Sequence, residues 1–221
     1  MKKLESSLLN MVLVLTGVAV VMGAVLAFVN DLTSGPIGEQ KEKALADGIK
    51  TVMVCGDLVV AHTDTVRQND PKGKELTYIV YQTKDAGGKD LGAAVESTTG
   101  GFGGDLKVLV GFDPEGRILG YTLLEHAETP GLGAKADKWF QKGGKGDIIG
   151  KNPQEPLTVS KDGGQVDAIT ASTITSRAFL LAVNNAYNAY KNTPTDCNTG
   201  ATSASGVQPA GEKQKQNNKE E

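Results

Sequence analysis

The amino-acid sequence predicts an α+β chain: a single N-terminal transmembrane helix, then a β-rich domain with flanking helices. Three observations carry that expectation. The run from Leu8 to Val29 contains no charge. Between Thr77 and His126, alternating runs rich in β-branched residues are broken by Gly, Pro and Asp turns. From Thr173, apolar residues recur at helical spacing through Phe179, Leu180, Val183, Ala186, Tyr187 and Tyr190, with Pro194 beyond.

The N-terminal run comes first. A bilayer core takes about 20 apolar residues in a helix, and this run is long enough. It exceeds the roughly 7–15 residues of a signal-peptide core, so an uncleaved anchor is expected. Lys2 and Lys3 precede it, and Asp31 and Glu39 follow it. Positive residues stay inside, which predicts a single-pass protein of the inner (cytoplasmic) membrane. Its N-terminus is then cytoplasmic and its main domain lies on the periplasmic, outer side. Gly17 and Gly23 could admit a neighbouring membrane helix.

Four segments follow from the pattern. Residues 1–30 form the cytoplasmic N-terminus and anchor. Residues 31–75 hold an amphipathic helix, Ile37 to Met53, and a connecting segment. Residues 76–192 form the main domain, and residues 193–221 a polar, disordered tail. In the main domain, strands are expected at Thr77–Thr83, 91–98, Leu106–Asp113 and 117–126. A short helix around Asp137–Gln141 carries Trp139, read as a core residue. Short strands are expected at Leu157–Val159 and Gln165–Ile169.

Composition narrows the function. The chain has 221 residues and a formal charge of −3, which argues against a nucleic-acid partner. Its 28 glycines, many between Gly87 and Gly164, suit a domain of bent strands and tight loops rather than a helical bundle. Cys55 and Cys197 stand alone and read as solitary thiols; His62 and His126 are far apart. No spacing suggests a metal site.

Three stretches could carry chemistry. In DAITASTITSRAF, Asp167 to Phe179, hydroxyls crowd a helix start. An N-cap explains one of Thr170, Ser172, Thr173, Thr175 and Ser176, but not all five. The free N–H groups and the dipole at such a start also suit a phosphate, so both readings stand. ETPGLGAK, Glu128 to Lys135, is by itself a tight turn. TTGGFGG, Thr98 to Gly104, lacks the strand–turn–helix context of a dinucleotide site and has no Walker lysine. It reads as a bend that lets something flat approach the backbone.

The order of these stretches is specific. An N-terminal anchor, GGFGGDLKVLVGFDPEGRILG, HAETPGLG and VDAITASTITS resemble the FMN-binding domain family over about residues 1–191. Within it, the resemblance is strongest to the G subunits of Rnf electron-transport complexes. The C subunits of sodium-translocating NADH:quinone reductases share the domain.

The resemblance implies FMN joined covalently to a threonine through its phosphate, installed from FAD by a flavin transferase. That enzyme reads an acid followed by Ser or Thr, Gly, Ala and Thr. Carried onto this chain, Asp167 is the acid, Thr170 the first hydroxyl and Thr173 the acceptor, with Thr175 and Ser176 just after it. Ala171 stands where glycine is usual and Ser172 where alanine is usual. Glu128, Thr129, Leu132 and Gly133 would line the flavin, with Phe102 near the ring. A second copy, DCNTGATSAS from Asp196, matches the motif more literally, with Thr202 as acceptor. Thr173 is preferred because a folded helix start follows VDAI there.

By the same resemblance, the chain is an electron-carrying subunit of an ion-translocating ferredoxin:NAD oxidoreductase. It has no catalytic residue of its own, and other membrane subunits are its partners. The alternatives are the quinone-reductase subunit and a membrane-anchored adaptor without cofactor.

Overall fold

A computed structural model of the chain describes residues 8–69 and 75–192. The polar tail, with Cys197 and Thr202, lies outside the described residues. The chain divides between Ala46 and Asp47 into two compact units.

The first unit is helical. Helix α1 runs continuously over Leu8–Val52, including the segment read as a separate amphipathic helix. It passes through Pro36, which removes one backbone donor from the helix interior. Its N-terminal part is long and apolar enough to cross a membrane, and its large apolar side chains from Leu8 to Leu32 are exposed.

The second unit is built on an antiparallel meander of five strands in the order β1-β2-β3-β4-β5. These are β1 Leu58–Asn69, β2 Glu75–Asp85, β3 Asp90–Gly100, β4 Asp105–Phe112 and β5 Ile118–His126. The last four coincide with the predicted strands. Strand β1 occupies a stretch read only as a connection. The region after Leu157 differs as well: in place of two strands there is a single parallel bridge, Val159 to Val166, around a 3-10 turn at Ser160–Asp162. Gly163, with φ of 84°, ends that turn, and the two segments meet at one position rather than along a ladder.

Helix α2, Ala136–Trp139, is short. Helix α3, Thr173–Tyr190, covers one face of the sheet. Period-two alternation sends Leu106, Val108, Val110 and Phe112 of β4 towards Ala178, Phe179, Ala182, Val183 and Ala186 of α3 in one core cluster. Phe179 stacks on Phe140 with ring centroids 4.4 Å apart and meets Tyr121 edge-on at 4.7 Å. Trp139 is half-buried against this core, and its indole N–H donates to the Asp167 carbonyl at 2.8 Å.

The opposite face takes the last turn of α1, which lies within the second unit. Gly111 and Gly120 are cross-strand partners, and a Cβ on either would collide with the Val52 backbone. Two glycines side by side therefore let a helix end lie directly on the sheet. The packing on both faces fixes β3, β4 and the start of α3 relative to one another. Thr99 at the end of β3 adds a bond, donating to the Ala178 carbonyl at 2.9 Å.

Candidate functional site

At one end of the sheet, three loops converge on a cavity of about 380 Å³ lined by Phe102, Glu128, Thr129, Leu132, Gly133 and residues 171–175. They are the β3–β4 turn, the segment after β5 and the start of α3. Ligand cavities run from about 300 to 1,000 Å³.

The segment after β5 is shaped by its sequence. Pro130 and Gly131, the latter with φ of 76°, occupy the centre of a turn closed by Leu132 N–H donating to the Thr129 carbonyl at 3.1 Å. Proline second and a positive-φ glycine third is the type II pattern. The turn leaves Leu132 41% exposed at the cavity. Phe102, at the tip of the β3–β4 turn, is 68% exposed, an apolar ring left in the open. The turn beneath it is closed by Gly101 N–H donating to the Gly104 carbonyl at 2.8 Å.

Glu128 ties the loops together. It is 6% exposed. Its Oε1 accepts from the Phe102 N–H at 2.7 Å and the Gly103 N–H at 3.3 Å. Its Oε2 accepts from the Thr175 hydroxyl at 2.7 Å. A Cβ on Gly101 would overlap Oε1, and one on Gly133 would overlap Oε2 and crowd Thr175 Oγ1. The glycines thus make room for a carboxyl group and, at Gly103, for the Ala127 carbonyl. What approaches the GGFGG backbone is Glu128 together with the Ala127 carbonyl before it.

The hydroxyl-rich helix start divides into structural and open members. Ser176 is buried; its Oγ donates to the Ser172 carbonyl and accepts from the Ile169 N–H, both at 2.9 Å. Thr175 holds Glu128. Ser172 is the N-cap residue, yet its side chain makes no capping bond. The cap therefore does not account for the cluster, and the first N–H groups of α3 lack a side-chain acceptor from this residue. Ala171, before it, has φ of 61°, a left-handed conformation that costs a non-glycine residue about 1–2 kcal/mol. Glycine suits that position for this reason.

Thr173, the expected acceptor, is half-buried on the cavity wall. Its Oγ1 accepts from Lys161 Nζ at 3.1 Å. Lys161 belongs to the 3-10 turn, whose neighbouring Asp162 binds Arg177 through both carboxyl oxygens at 2.6 and 2.7 Å. Hydrogen bonds from Arg177 hold the Asp162 carboxyl below its ordinary range.

Of the residues singled out from the sequence, Phe102, Glu128, Thr129, Leu132, Gly133, Ser172, Thr173 and Thr175 line the cavity. Asp167, Thr170 and Ser176 do not. Asp167 and Thr170 are exposed, and the Asp167 carboxyl accepts from the Ser160 hydroxyl at 3.1 Å. Lys161 was missed. Its only sequence signal is the turn SKDGG, which says nothing of what the lysine reaches.

Residues 101–188 match the family model of the FMN-binding domain, a span that includes all of the cavity. The G subunit of the ion-translocating oxidoreductase complex of Vibrio cholerae serotype O1 (strain M66-2) is 34% identical over 181 residues, 79% of this chain and 86% of the relative. The subunit of the same name from Shewanella baltica (strain OS223) is 31% identical over 176 residues, 76% of this chain and 82% of the relative. That of Aliivibrio fischeri (strain MJ11) is 37% identical over 131 residues, 57% and 61% of the two chains. With its anchor-length helix, its antiparallel sheet and its three-loop cavity, the chain belongs to the family of ion-translocating oxidoreductase complex G subunits and carries that family's FMN-binding domain.

Proposed function

We propose that this chain is the electron-carrying flavoprotein subunit of an Rnf-type, ion-translocating ferredoxin:NAD oxidoreductase, with FMN joined through its phosphate to Thr173. The supporting observation is the cavity where Thr173, at a helix start without a side-chain cap, faces two exposed apolar residues, Phe102 and Leu132. An isoalloxazine ring needs apolar cover, and its phosphate needs donors. The residues present fit both ends. When bound, FMN supplies one- and two-electron redox chemistry; the protein supplies position.

Each residue then has a task. Phe102 and Leu132 cover the ring, and Glu128 fixes the loops that carry them. The N–H groups at the start of α3 receive the phosphate. In maturation, Thr173 Oγ forms the new O–P bond, the pyrophosphate bond of FAD breaks, AMP leaves, and the hydroxyl proton passes to the transferase. Asp167 and Thr170, exposed beside the cavity, are suited to being read by that transferase rather than to holding flavin. The anchor keeps the domain at the membrane, on the outer side in this reading, beside the partner subunits that exchange electrons with it.

The test is peptide mass spectrometry on chain co-produced with a flavin transferase. FMN is expected on the peptide carrying Thr173, and Thr173→Ala should remove it. An adduct that survives Thr173→Ala and disappears in Thr202→Ala would move the site to the tail. A chain carrying no flavin at all would leave the adaptor reading.

A further inference from the structure

Two contacts lie side by side at the start of α3. Thr173 and Arg177 are four residues apart and so share one helix face. Facing them are two consecutive residues of one turn, Lys161 and Asp162. Asp162 grips the Arg177 guanidinium through two oxygens, and Lys161 donates to the Thr173 hydroxyl. A bidentate fork has a narrow geometry. It fixes the turn against the helix and so delivers the lysine to Thr173.

An ammonium on a neutral threonine hydroxyl is more than that hydroxyl requires. Lys161 is exposed and could remain in water, keeping the rotamer freedom that a fixed contact costs. Next to it, Ser172 leaves the helix start without a side-chain cap. A positive charge therefore lies beside the positive end of a helix dipole, an arrangement stabilised by an anion there. A phosphodiester carries one negative charge, and lysine serves phosphate as a point charge without needing a planar fork.

Resting on the flavin reading above, we propose that Lys161 is the counter-ion of the phosphodiester on Thr173. Its ammonium leaves the threonine oxygen, which becomes a bridging ester oxygen and a poor acceptor, and donates instead to a non-bridging phosphate oxygen. Arg177 is occupied by Asp162 and serves to position the turn.

The experiment uses the full chain in detergent, with purified flavin transferase and FAD. The time course of covalent incorporation is compared for the unmutated chain, Lys161→Met and Lys161→Arg. Phosphorus NMR is then recorded on the flavinylated products. Lys161→Met should slow incorporation about tenfold, the scale of one charge-assisted hydrogen bond. Lys161→Arg, which keeps the charge, should stay within about threefold of the unmutated chain. The gap should shrink as salt rises, because the ammonium is exposed. The phosphodiester resonance should move in Lys161→Met. Equal incorporation rates overturn the proposal. So does slow incorporation with an unmoved resonance, which would mean that the transferase, not the phosphate, meets the lysine. Lys161→Arg as slow as Lys161→Met overturns the role of charge. The flavin reading fails separately, by the absence of FMN from Thr173 in the unmutated chain, and would take this proposal with it.

Discussion

The two sides of the cavity are built on different principles. On one side, Glu128 is buried and both its oxygens accept hydrogen bonds, three in all, from two other loops. On the other side, Thr173 is half-buried at a helix start whose N-cap side chain is idle, and its contact is a lysine from an exposed turn. The first side is complete within the chain, while the second is left with donors to spare. A wall satisfied by its own residues sets shape. A wall rich in unused donors sets what binds, and here the surplus calls for an anion.

The sharpest way to break that contrast is to unmake the satisfied wall. Glu128→Ala should leave two backbone N–H groups and the Thr175 hydroxyl without their acceptor. Loss of the buried Thr175 bond costs about 1–3 kcal/mol and the two part-buried N–H bonds add to it, so covalent flavin yield and thermal stability should both fall. Glu128→Gln is the informative companion. Its carbonyl oxygen can keep the Phe102 and Gly103 donors, and its amide can donate to a Thr175 hydroxyl that has turned round. A cost of about 1 kcal/mol and near-normal flavin yield are expected. Loss as severe as in Glu128→Ala would assign the residue a role in charge rather than shape.

Next in size is Gly133→Ala. The added methyl would overlap Glu128 Oε2 and crowd Thr175 Oγ1. Overpacking of this kind costs about 1–3 kcal/mol. Thermal melts of the full chain read the loss. An unchanged melting temperature would show that the Glu128 side can yield, and the contrast between the walls would soften.

How much of this was legible beforehand depends on range. Strands β2 to β5 were readable because each sends side chains into one common core, and burial writes period two into the sequence. Strand β1 was not: among the described residues it pairs with β2 alone and is mostly exposed, so LVVAHTDTVRQN carries many polar residues on both faces. The bridge at Val159 and Val166 read as two strands because a glycine pair looks the same in a hairpin and in a tight turn. Most of the cavity was visible, since turn chemistry and hydroxyl clustering are local. Lys161 was hidden because its contact with Thr173 joins a turn to a helix start, and nothing local in the sequence says that the Asp162–Arg177 pair holds the two together. Thr170 and Asp167 fit a linear motif, but the backbone turns them away from the cavity.

Ala171 gives a milder test of the open side. With φ of 61°, it holds the chain in a left-handed conformation just before the helix start. Ala171→Gly removes a steric cost of about 1–2 kcal/mol but adds unfolded-state entropy of about 0.4–1 kcal/mol. A net gain of about 0.5–1 kcal/mol follows, or roughly 1–4 °C in melting temperature. Flavin attachment should be unchanged, because the position shapes backbone rather than charge.

The smallest effect belongs to the Asp162–Arg177 fork. Hydrogen bonds from Arg177 lower the Asp162 pKa, so the folded state favours the charged carboxylate more than the unfolded chain does. The sign follows: the fork contributes fully above the usual carboxylate pKa of about 4 and is lost as pH falls through the depressed value. The Arg177 side chain is 25% exposed and that of Asp162 10%, and partial solvation keeps the contribution to about 0.2–1 kcal/mol. Asp162→Asn should therefore melt about 1–3 °C below the unmutated chain at pH 7, with the difference closing towards pH 3. A difference that stays constant across that range would mean that the asparagine acts by shape. The fork would then position Lys161 without its charge, and the open wall would owe its geometry to packing alone.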